Sequence, residues 1–330
     1  MDKIVRKAAL AASSDPLSES RLQNIDDLIF FLEGRGLTVE LSPYLFGCRE
    51  ADPGKKKAEF LNRCFADPEM EFIFDVSGGD LANTVLRHLD YEVIKNSRAM
   101  FYGFSDLTTV INAIYARTGK EAVNYQVRNI VWTNPGAAPR FSDATSGFSG
   151  AAPGFSGGHS GSSGDPSGYS GNTSGSSGDP SGEEEHQIVE YFDRKVLEHA
   201  ISAEDLEVEF LRGNAMRGRV VGGNIRCLLK LAGTPFWPDM RGAVLLLEAH
   251  SGGASQMTTM LEQLMELGTA EQVGGVLLGT FTQMERDGLR PEIGELVMKM
   301  FPEKVPVART RFVGHGHDAR AIVIGKEIEL

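Results

Sequence analysis

The chain has 330 residues, a formal net charge of −12, and apolar and charged fractions of 41% and 24%, which are ordinary for a globular protein. This length suffices for two domains with apolar cores, and the negative charge argues against nucleic acid or an anionic membrane as a general partner. No run approaches the roughly 18 apolar residues of a membrane span, and three scattered cysteines indicate a reducing compartment without a disulfide framework.

Strands and helices are predicted to alternate along the first part of the chain. The strands, recognised as short apolar or alternating runs, are residues 3–12, 37–41, 72–76 and 99–102. The helices, recognised by apolar residues at helical spacing, are residues 20–35, 58–66, 83–89 and 107–118. The alternation predicts an α/β domain with a mostly parallel sheet, in which sites lie at the carboxyl ends of the strands.

Ser105 lies in a sharp turn between the strand at 99–102 and the helix that follows it. The first amides of a helix are unpaired, so a nucleophile at such a turn would have oxyanion donors supplied by the backbone. The alternative is that Ser105 caps the helix, a common role for serine. Gly78 and Gly79, after the strand at 72–76, would lie at the same edge, either as a free amide beside a ligand or as a tight turn.

The composition changes abruptly near residue 133. Residues 134–182 consist mainly of Gly, Ser, Pro and Ala, and the sequence at 161–168 recurs at 175–182. Such a segment cannot bury enough apolar surface to offset the entropy of ordering it, so we predict a disordered linker over residues 134–186. It separates an N-terminal α/β domain, residues 1–133, from a C-terminal one, residues 187–330.

The C-terminal part is predicted to be α/β as well. Its predicted strands are residues 218–224, 242–248, 274–281, 305–310 and 321–324. Its predicted helices are residues 189–199, 225–231, 257–267 and 291–301. Glu248 ends an apolar strand, and His315 lies between two glycines.

Ser105, Glu248 and His315 are candidates for a nucleophile, an orienting carboxylate and a general base. The alternatives for the last two are a solvated strand-end carboxylate and a structural loop histidine. His250 is an alternative base. The same residue order occurs in α/β-hydrolases, but Leu107 replaces the second glycine of their Gly-x-Ser-x-Gly turn.

A metal site is a further alternative, since His315, His317 and Asp318 lie close together in the sequence. Catalytic zinc needs three protein ligands, and the other five histidines form no ligand-spaced cluster, so we predict no metal. No phosphate-binding glycine motif of a nucleotide-binding protein occurs either.

Ten short motifs follow one another in a characteristic order. They are ASSDP (12–16), FADP (65–68), FDVSGG (74–79), LDY (89–91), GFSD (103–106), GRVVGGN (218–224), GTPFWPD (233–239), LLE (246–248), Gly279 and GHG (314–316). In these motifs the chain resembles the LD-carboxypeptidases, or murein tetrapeptide carboxypeptidases, which are serine peptidases and include the microcin-immunity peptidases. The resemblance extends over nearly the whole chain outside residues 134–186.

The resemblance implies two α/β domains with the active site between them, often in a homodimer. It implies Ser105 as nucleophile, Glu248 as carboxylate and His315 as base, with the backbone amides of Asp106 and Gly79 as oxyanion donors. The implied reaction is cytoplasmic and needs no cofactor. It hydrolyses the amide between the L-centre of a diamino acid and a terminal D-alanine, which converts a murein tetrapeptide to a tripeptide in peptidoglycan recycling.

Two departures from the family pattern make the substrate more open than the reaction type. Asp80 and Thr84 stand where the family commonly has the Tyr and Arg of Gly-Gly-Tyr-Gly-x-x-Arg, and Ala249 stands where a second acid is common. Since a muropeptide is anionic, cations near the site are expected, and Arg219 and Arg226 are candidates.

One alternative function is a microcin-immunity-type peptidase that cleaves an acyl-sulfamoyl adenylate or a related amide. It requires an aromatic ring to stack on the purine, for which Trp132 and Trp237 are candidates, although both could instead pack in the core. The other alternative is a non-catalytic protein of the same fold that binds a peptide or small molecule.

We expect the Gly/Ser-rich segment to be a solvated bulge without a catalytic role. Deletion of residues 147–182 should change kcat/KM by no more than about twofold, because long surface insertions cost little stability and none of the candidate catalytic residues lies in this stretch. A large loss of activity in the shortened, folded protein would contradict this expectation.

Overall fold

The computed structural model describes residues 6–131 and 182–330. The strands of these residues are β1 (Arg6–Ala11), β2 (Leu37–Leu41), β3 (Met70–Asp75), β4 (Met100–Gly103), β5 (Ala122–Asn124), β6 (Glu209–Arg212), β7 (Arg217–Asn224), β8 (Val244–Ala249), β9 (Gly275–Phe281), β10 (Val307–Arg309), β11 (Ile322–Ile324) and β12 (Glu327–Glu329). The helices are α1 (Leu22–Glu33), α2 (Pro53–Ala66), α3 (Tyr91–Asn96), α4 (Thr108–Thr118), α5 (Gly182–Tyr191), α6 (Ile225–Leu229), α7 (Ala254–Glu266), α8 (Thr269–Gln272), α9 (Thr282–Arg286) and α10 (Ile293–Met300). None of the described helices is long and apolar enough to cross a membrane.

The strands form two six-stranded sheets. The first has the order β11-β5-β4-β3-β1-β2 and is parallel except for β11. The second has the order β12-β7-β8-β9-β10-β6, with β7 to β10 parallel and an antiparallel strand at each edge. The central strands β3 and β8 are buried along their whole length, as parallel strands covered on both faces should be. The predicted α/β fold with mostly parallel sheets is confirmed.

The two sheets do not divide cleanly along the sequence. Strand β11 comes from the C-terminal part of the chain but pairs with β5, so that Ile322 lies opposite Asn124 in the first sheet. Helix α5 begins at Gly182, inside the segment predicted as a linker, and residues 134–181 of that segment lie outside the described residues. The domain bounds 1–133 and 187–330 therefore stay a prediction.

Two helices of the first domain differ from their predicted positions. Helix α2 begins at Pro53 because Asp52 accepts a hydrogen bond from the Lys55 amide and proline fits the first turn. The helix predicted over 83–89 is instead two 3₁₀ turns. The α-helix of this region, α3, follows them, capped by Asp90.

The first sheet contacts the second through helix α4 and strand β7. The buried Asn112 side chain donates to the Gly222 carbonyl at 2.8 Å and accepts from the Gly222 amide at 2.8 Å. The Asn224 amide donates to the Thr108 hydroxyl at 3.0 Å. One apolar core contains Val110 of α4 together with residues of β7, β8 and β9. The position of α4 relative to β7 therefore fixes the position of one sheet relative to the other.

We predict that Asn112→Ala lowers the free energy of unfolding by about 2–5 kcal/mol, because it leaves the buried amide and carbonyl of Gly222 without partners. Urea unfolding of the full chain measures this loss. Asn96→Ala is the control, since the exposed Asn96 bonds only within its own helix, and it should cost less than about 0.5 kcal/mol. A loss below about 1 kcal/mol for Asn112→Ala would contradict the prediction.

Candidate active site

Ser105 lies in a strained turn at the carboxyl end of β4. Its φ is 58°, a conformation that non-glycine residues rarely adopt and that costs on the order of 1–3 kcal/mol. A Cβ at Gly103 would lie 2.6 Å from the Cβ of Leu107, so this sharp turn requires glycine there. Ser105 does not cap α4, since no side chain caps the start of that helix. The capping alternative is wrong.

The structure brings the three predicted catalytic side chains together. The Ser105 hydroxyl lies 3.3 Å from Nε2 of His315, and Nδ1 of His315 lies 2.9 Å from Oε2 of Glu248. Ser105 comes from the first sheet, and Glu248 comes from the end of β8 in the second. His315 lies in the loop after β10. Hydroxyl, imidazole and carboxylate therefore form one chain across the boundary between the sheets.

The Glu248 carboxylate is completely buried. Among the described residues, no side-chain or backbone donor forms an aligned hydrogen bond with either of its oxygens, and its contact with Nδ1 of His315 is the one polar contact of this group. A buried carboxylate without donors is costly, so its environment strongly favours a proton on Nδ1 of His315. Nε2 is then the ring nitrogen that can accept the serine proton.

Aromatic rings on two sides hold the His315 imidazole. Phe104 packs edge-to-face against it, and the ring of His250 lies 4.5 Å away between centroids. Burial and the neighbouring His315 hold the pKa of His250 below its ordinary value of 6.5. The ring nitrogen that contacts Ser105 belongs to His315, so the geometry does not favour His250 as the base.

The loop with Gly78 and Gly79 faces Ser105 across a small cavity. This cavity has a volume of about 170 Å³ and is lined in part by Gly79, Ser105, Arg226 and His250. The φ of Gly79 is 121°, and a Cβ on this residue would collide with the Asp15 carboxylate. The position therefore requires glycine, for its backbone conformation and for the close approach of Asp15.

In the described part of the chain, the amides of Gly79 and Asp106 are unpaired backbone donors. Neither donates to an acceptor within residues 6–131 and 182–330. Both belong to residues that adjoin the nucleophile or share its cavity, which is the placement expected of oxyanion donors. Their role as oxyanion donors stays a prediction.

A second, larger cavity is lined in part by His315. It has a volume of about 460 Å³, and its lining includes Asp15, Gly78, Arg128 and His315. Ser105 lines the smaller cavity and His315 lines the larger one.

The side chain of Asp106 is a part of the site that the sequence did not reveal. It is fully buried and accepts hydrogen bonds from the Ser14 hydroxyl at 2.5 Å, the Ala82 amide at 2.8 Å and the Lys230 ammonium at 2.6 Å. The sequence contained one signal for this contact. Lys230 interrupts the largely apolar stretch 225–231, and a lysine there needs a partner or a path to solvent.

The alternative assignments gain no support from the arrangement. Trp237 packs against the apolar cores and lines neither cavity, while Trp132 lies outside the described residues. Arg219 is on strand β7 and lines neither cavity, whereas Arg226 lines the smaller one. In the described part of the chain, no three His, Cys, Asp or Glu side chains come together as a metal site would require.

Comparison with known proteins assigns the family. The LD-carboxypeptidase N-terminal domain matches residues 8–125, and the LD-carboxypeptidase C-terminal domain matches residues 217–330. The chain belongs to the LD-carboxypeptidase family. Two relatives of this chain carry names that describe different functions.

The murein tetrapeptide carboxypeptidase of Pseudomonas aeruginosa is 25% identical over 281 residues, which cover 82% of this chain and 76% of the relative. The microcin C7 self-immunity protein MccF of Escherichia coli is 20% identical over 278 residues, covering 84% and 75%. Both relatives are distant from this chain, so sequence identity alone does not decide which of the two named functions applies to it.

Solved structures of both kinds share the fold. MccF in complex with glutamyl sulfamoyl guanosine aligns with a TM-score of 0.72 at 15% identity, covering 99% of this chain and 93% of that one. A muramoyltetrapeptide carboxypeptidase from Oxalobacter formigenes aligns with a TM-score of 0.65 at 18% identity, covering 98% and 94%. At these identities the likeness shows the fold alone.

We predict that His250 makes folding sensitive to acid. Because its pKa is lowered in the folded state, the unfolded chain binds this proton more readily, and the contribution of His250 to stability falls as the pH drops through 6.5. The variant His250→Asn should therefore lose less unfolding free energy than the wild type between about pH 8 and about pH 5.

Urea unfolding at each pH measures the effect. His186→Asn, which changes an exposed histidine of α5, should leave the loss of unfolding free energy between about pH 8 and about pH 5 unchanged. If the wild type and His250→Asn lost equal unfolding free energy over this pH range, the prediction would be contradicted.

Proposed function

We propose that this protein is a serine LD-carboxypeptidase that releases terminal D-alanine from murein tetrapeptides in the cytoplasm. The observation that carries the proposal is the chain from Ser105 through His315 to the buried Glu248, at distances of 3.3 and 2.9 Å. Membership in the LD-carboxypeptidase family supports the reaction type. The murein peptide is the substrate named for the relative from Pseudomonas aeruginosa.

In the first half of the reaction, the Ser105 oxygen attacks the carbonyl carbon of the L,D amide, and Nε2 of His315 takes the hydroxyl proton. The imidazolium forms beside the buried Glu248 carboxylate, so a new positive charge meets a negative charge that lacks other donors. This pairing stabilises the transition state more than the ground state, which is the condition for catalysis. The serine–histidine distance of 3.3 Å is expected to shorten when substrate binds.

The carbonyl oxygen becomes negatively charged in the tetrahedral intermediate. The amides of Asp106 and Gly79 are the donors for it in this proposal, and a fixed pair of this kind contributes on the order of several kcal/mol. His315 then gives its proton to the nitrogen of D-alanine, which leaves as the free amino acid. Water, activated by the same histidine, hydrolyses the acyl-enzyme and releases the tripeptide.

We predict that the wild type releases D-alanine from L-Ala-γ-D-Glu-meso-diaminopimelyl-D-Ala and that Ser105→Ala lowers kcat by a factor of about 10³ or more. Free D-alanine, quantified over time, is the measurement. Ser20→Ala is the matched control, because Ser20 is exposed and its hydroxyl contacts only Ser18. The control should retain the wild-type rate.

The outcomes separate the three candidate functions. Release that survives in Ser105→Ala would exclude Ser105 as the nucleophile. Absence of release by the wild type, together with hydrolysis of an aminoacyl sulfamoyl adenosine, would favour the microcin-immunity type of peptidase. If neither substrate is hydrolysed and a fluorophosphonate does not label Ser105, the protein binds its ligand without cutting it.

A further inference from the structure

Four charged residues form an ionic network beside the nucleophile. It consists of Asp80 and Asp106 on the side of the first sheet, and Arg226 and Lys230 on helix α6 or immediately after it. The Lys230 ammonium lies 2.6 Å from Oδ1 of Asp106, 2.9 Å from the carbonyl of Asp80 and 3.3 Å from Oδ1 of Asp80. The three acceptor contacts equal the three protons that an ammonium can donate.

The acidic partners of Lys230 are the neighbours of the two groups that would bind the oxyanion. Asp106 follows Ser105, and its own amide is one proposed donor. Asp80 follows Gly79, whose amide is the other. Arg226 strengthens the second attachment, because it pairs with the Asp80 carboxylate and donates to the Gly79 carbonyl at 3.4 Å.

Lys230 also connects the two sheets at the reacting atoms. Ser105 and Asp106 belong to the first sheet, whereas α6 follows β7 of the second, which also supplies Glu248. A change in the distance between Lys230 and Asp106 would move the serine relative to the base. The contact is shielded, since the Lys230 side chain is 19% exposed and Asp106 is completely buried.

The charge of Lys230 is stable at neutral pH. Burial alone would lower the pKa of this ammonium, but the hydrogen bond from Lys230 to Asp106 and the nearby negative charges raise it above its ordinary value. The Asp106 side chain has two further donors, Ser14 and the Ala82 amide, both neutral. Lys230 is thus the cation that compensates this buried carboxylate, and removal of the cation leaves a buried charge without its ion partner.

One member of this network departs from the family pattern. Asp80 stands where the family pattern commonly has tyrosine, so an ion pair occupies a position at which an aromatic ring is common. We propose that Lys230 is a positioning residue that sets the separation of the Asp106 and Gly79 amides and the distance from Ser105 to His315. This inference rests on the function proposed above, since it assigns a task to the same oxyanion donors.

The test compares the wild type with Lys230→Met, an uncharged side chain of similar length. Misplacement of reacting groups by about 1 Å costs on the order of 10²-fold, so kcat for D-alanine release should fall by about 10- to 100-fold while KM changes less than about threefold. The rate of Ser105 labelling by a fluorophosphonate should fall in parallel. Lys56→Met, at a partly exposed lysine paired with Glu59, is the control and should match the wild type in both assays.

A second variant separates positioning from simple loss of folding. Lys230→Cys alkylated with 2-bromoethylamine restores an ammonium at the same chain length, whereas alkylation with 1-bromopropane gives a neutral side chain of that length. The first product should regain most of the lost kcat, and the second should not. Alkylated wild type controls for modification of Cys48, the cysteine that is not buried.

Three results would overturn the proposal. One is wild-type kcat in folded Lys230→Met. Another is a rise in KM without a fall in kcat, and the third is equal rescue by the charged and the neutral side chain. Failure of the proposed function would look different. The wild type would then release no D-alanine, while the fluorophosphonate rates would still test Lys230; a wild type that reacts in neither assay would refute both.

Discussion

The contact between α4 and β7 is the constraint on which the site depends. Ser105 follows a strand of the first sheet, Glu248 lies on a strand of the second, and His315 lies in the loop between β10 and β11, so the distances between them are set by how the sheets pack. Asn112 forms hydrogen bonds with both backbone groups of Gly222, and Thr108 accepts one from the Asn224 amide. These bonds fix the position of the first sheet relative to the second. Under the proposed function the reacting groups must be placed within fractions of an ångström, so this buried polar contact would matter for catalysis as well as for structure.

Two fully buried carboxylates lie near Ser105, and their surroundings are opposite. Asp106 accepts three hydrogen bonds, one of them from a cation, so its charge is satisfied in the resting protein. Within residues 6–131 and 182–330, the polar contact of Glu248 is with the imidazole of His315 alone. The Asp106 carboxylate is suited to stabilise the local structure. The Glu248 carboxylate is suited to stabilise a positive charge that forms on His315. Environment, rather than residue type, assigns the different tasks.

The sequence predicted the elements that depend on local pattern. The turn at Ser105, the buried strand before Glu248 and the glycine-flanked His315 could all be found, because each follows from apolar runs and glycine positions. Their meeting in space could not be derived from spacing and was suggested by the family resemblance alone. The 3₁₀ turns at 82–88 lack a regular apolar period, and the edge strand β6 is only four residues long, so the sequence predicted neither.

The features of the site that the sequence did not predict depend on contacts between residues far apart in the chain. The attachment of Lys230 to Asp106 joins residues that are 124 positions apart, and only a lone lysine in an apolar stretch hinted at it. Asp80 could be recognised from the sequence as a departure from the family pattern. Its pairing with Arg226 and Lys230 could not. Ion pairs between distant segments leave no periodic trace in a sequence, because either partner is also compatible with an exposed surface.

The strand β11 makes the two halves of this protein interdependent. It covers the free edge of β5, although its residues lie roughly 200 positions further along the chain. A fragment that ended before the Gly/Ser-rich segment would expose this edge, and an unpaired parallel edge invites pairing with other chains. Gene fission between the two halves would therefore create an aggregation hazard as well as an incomplete site. The connection between the two halves contains a long insertion, but a break in the chain there would separate β11 from the sheet that it completes.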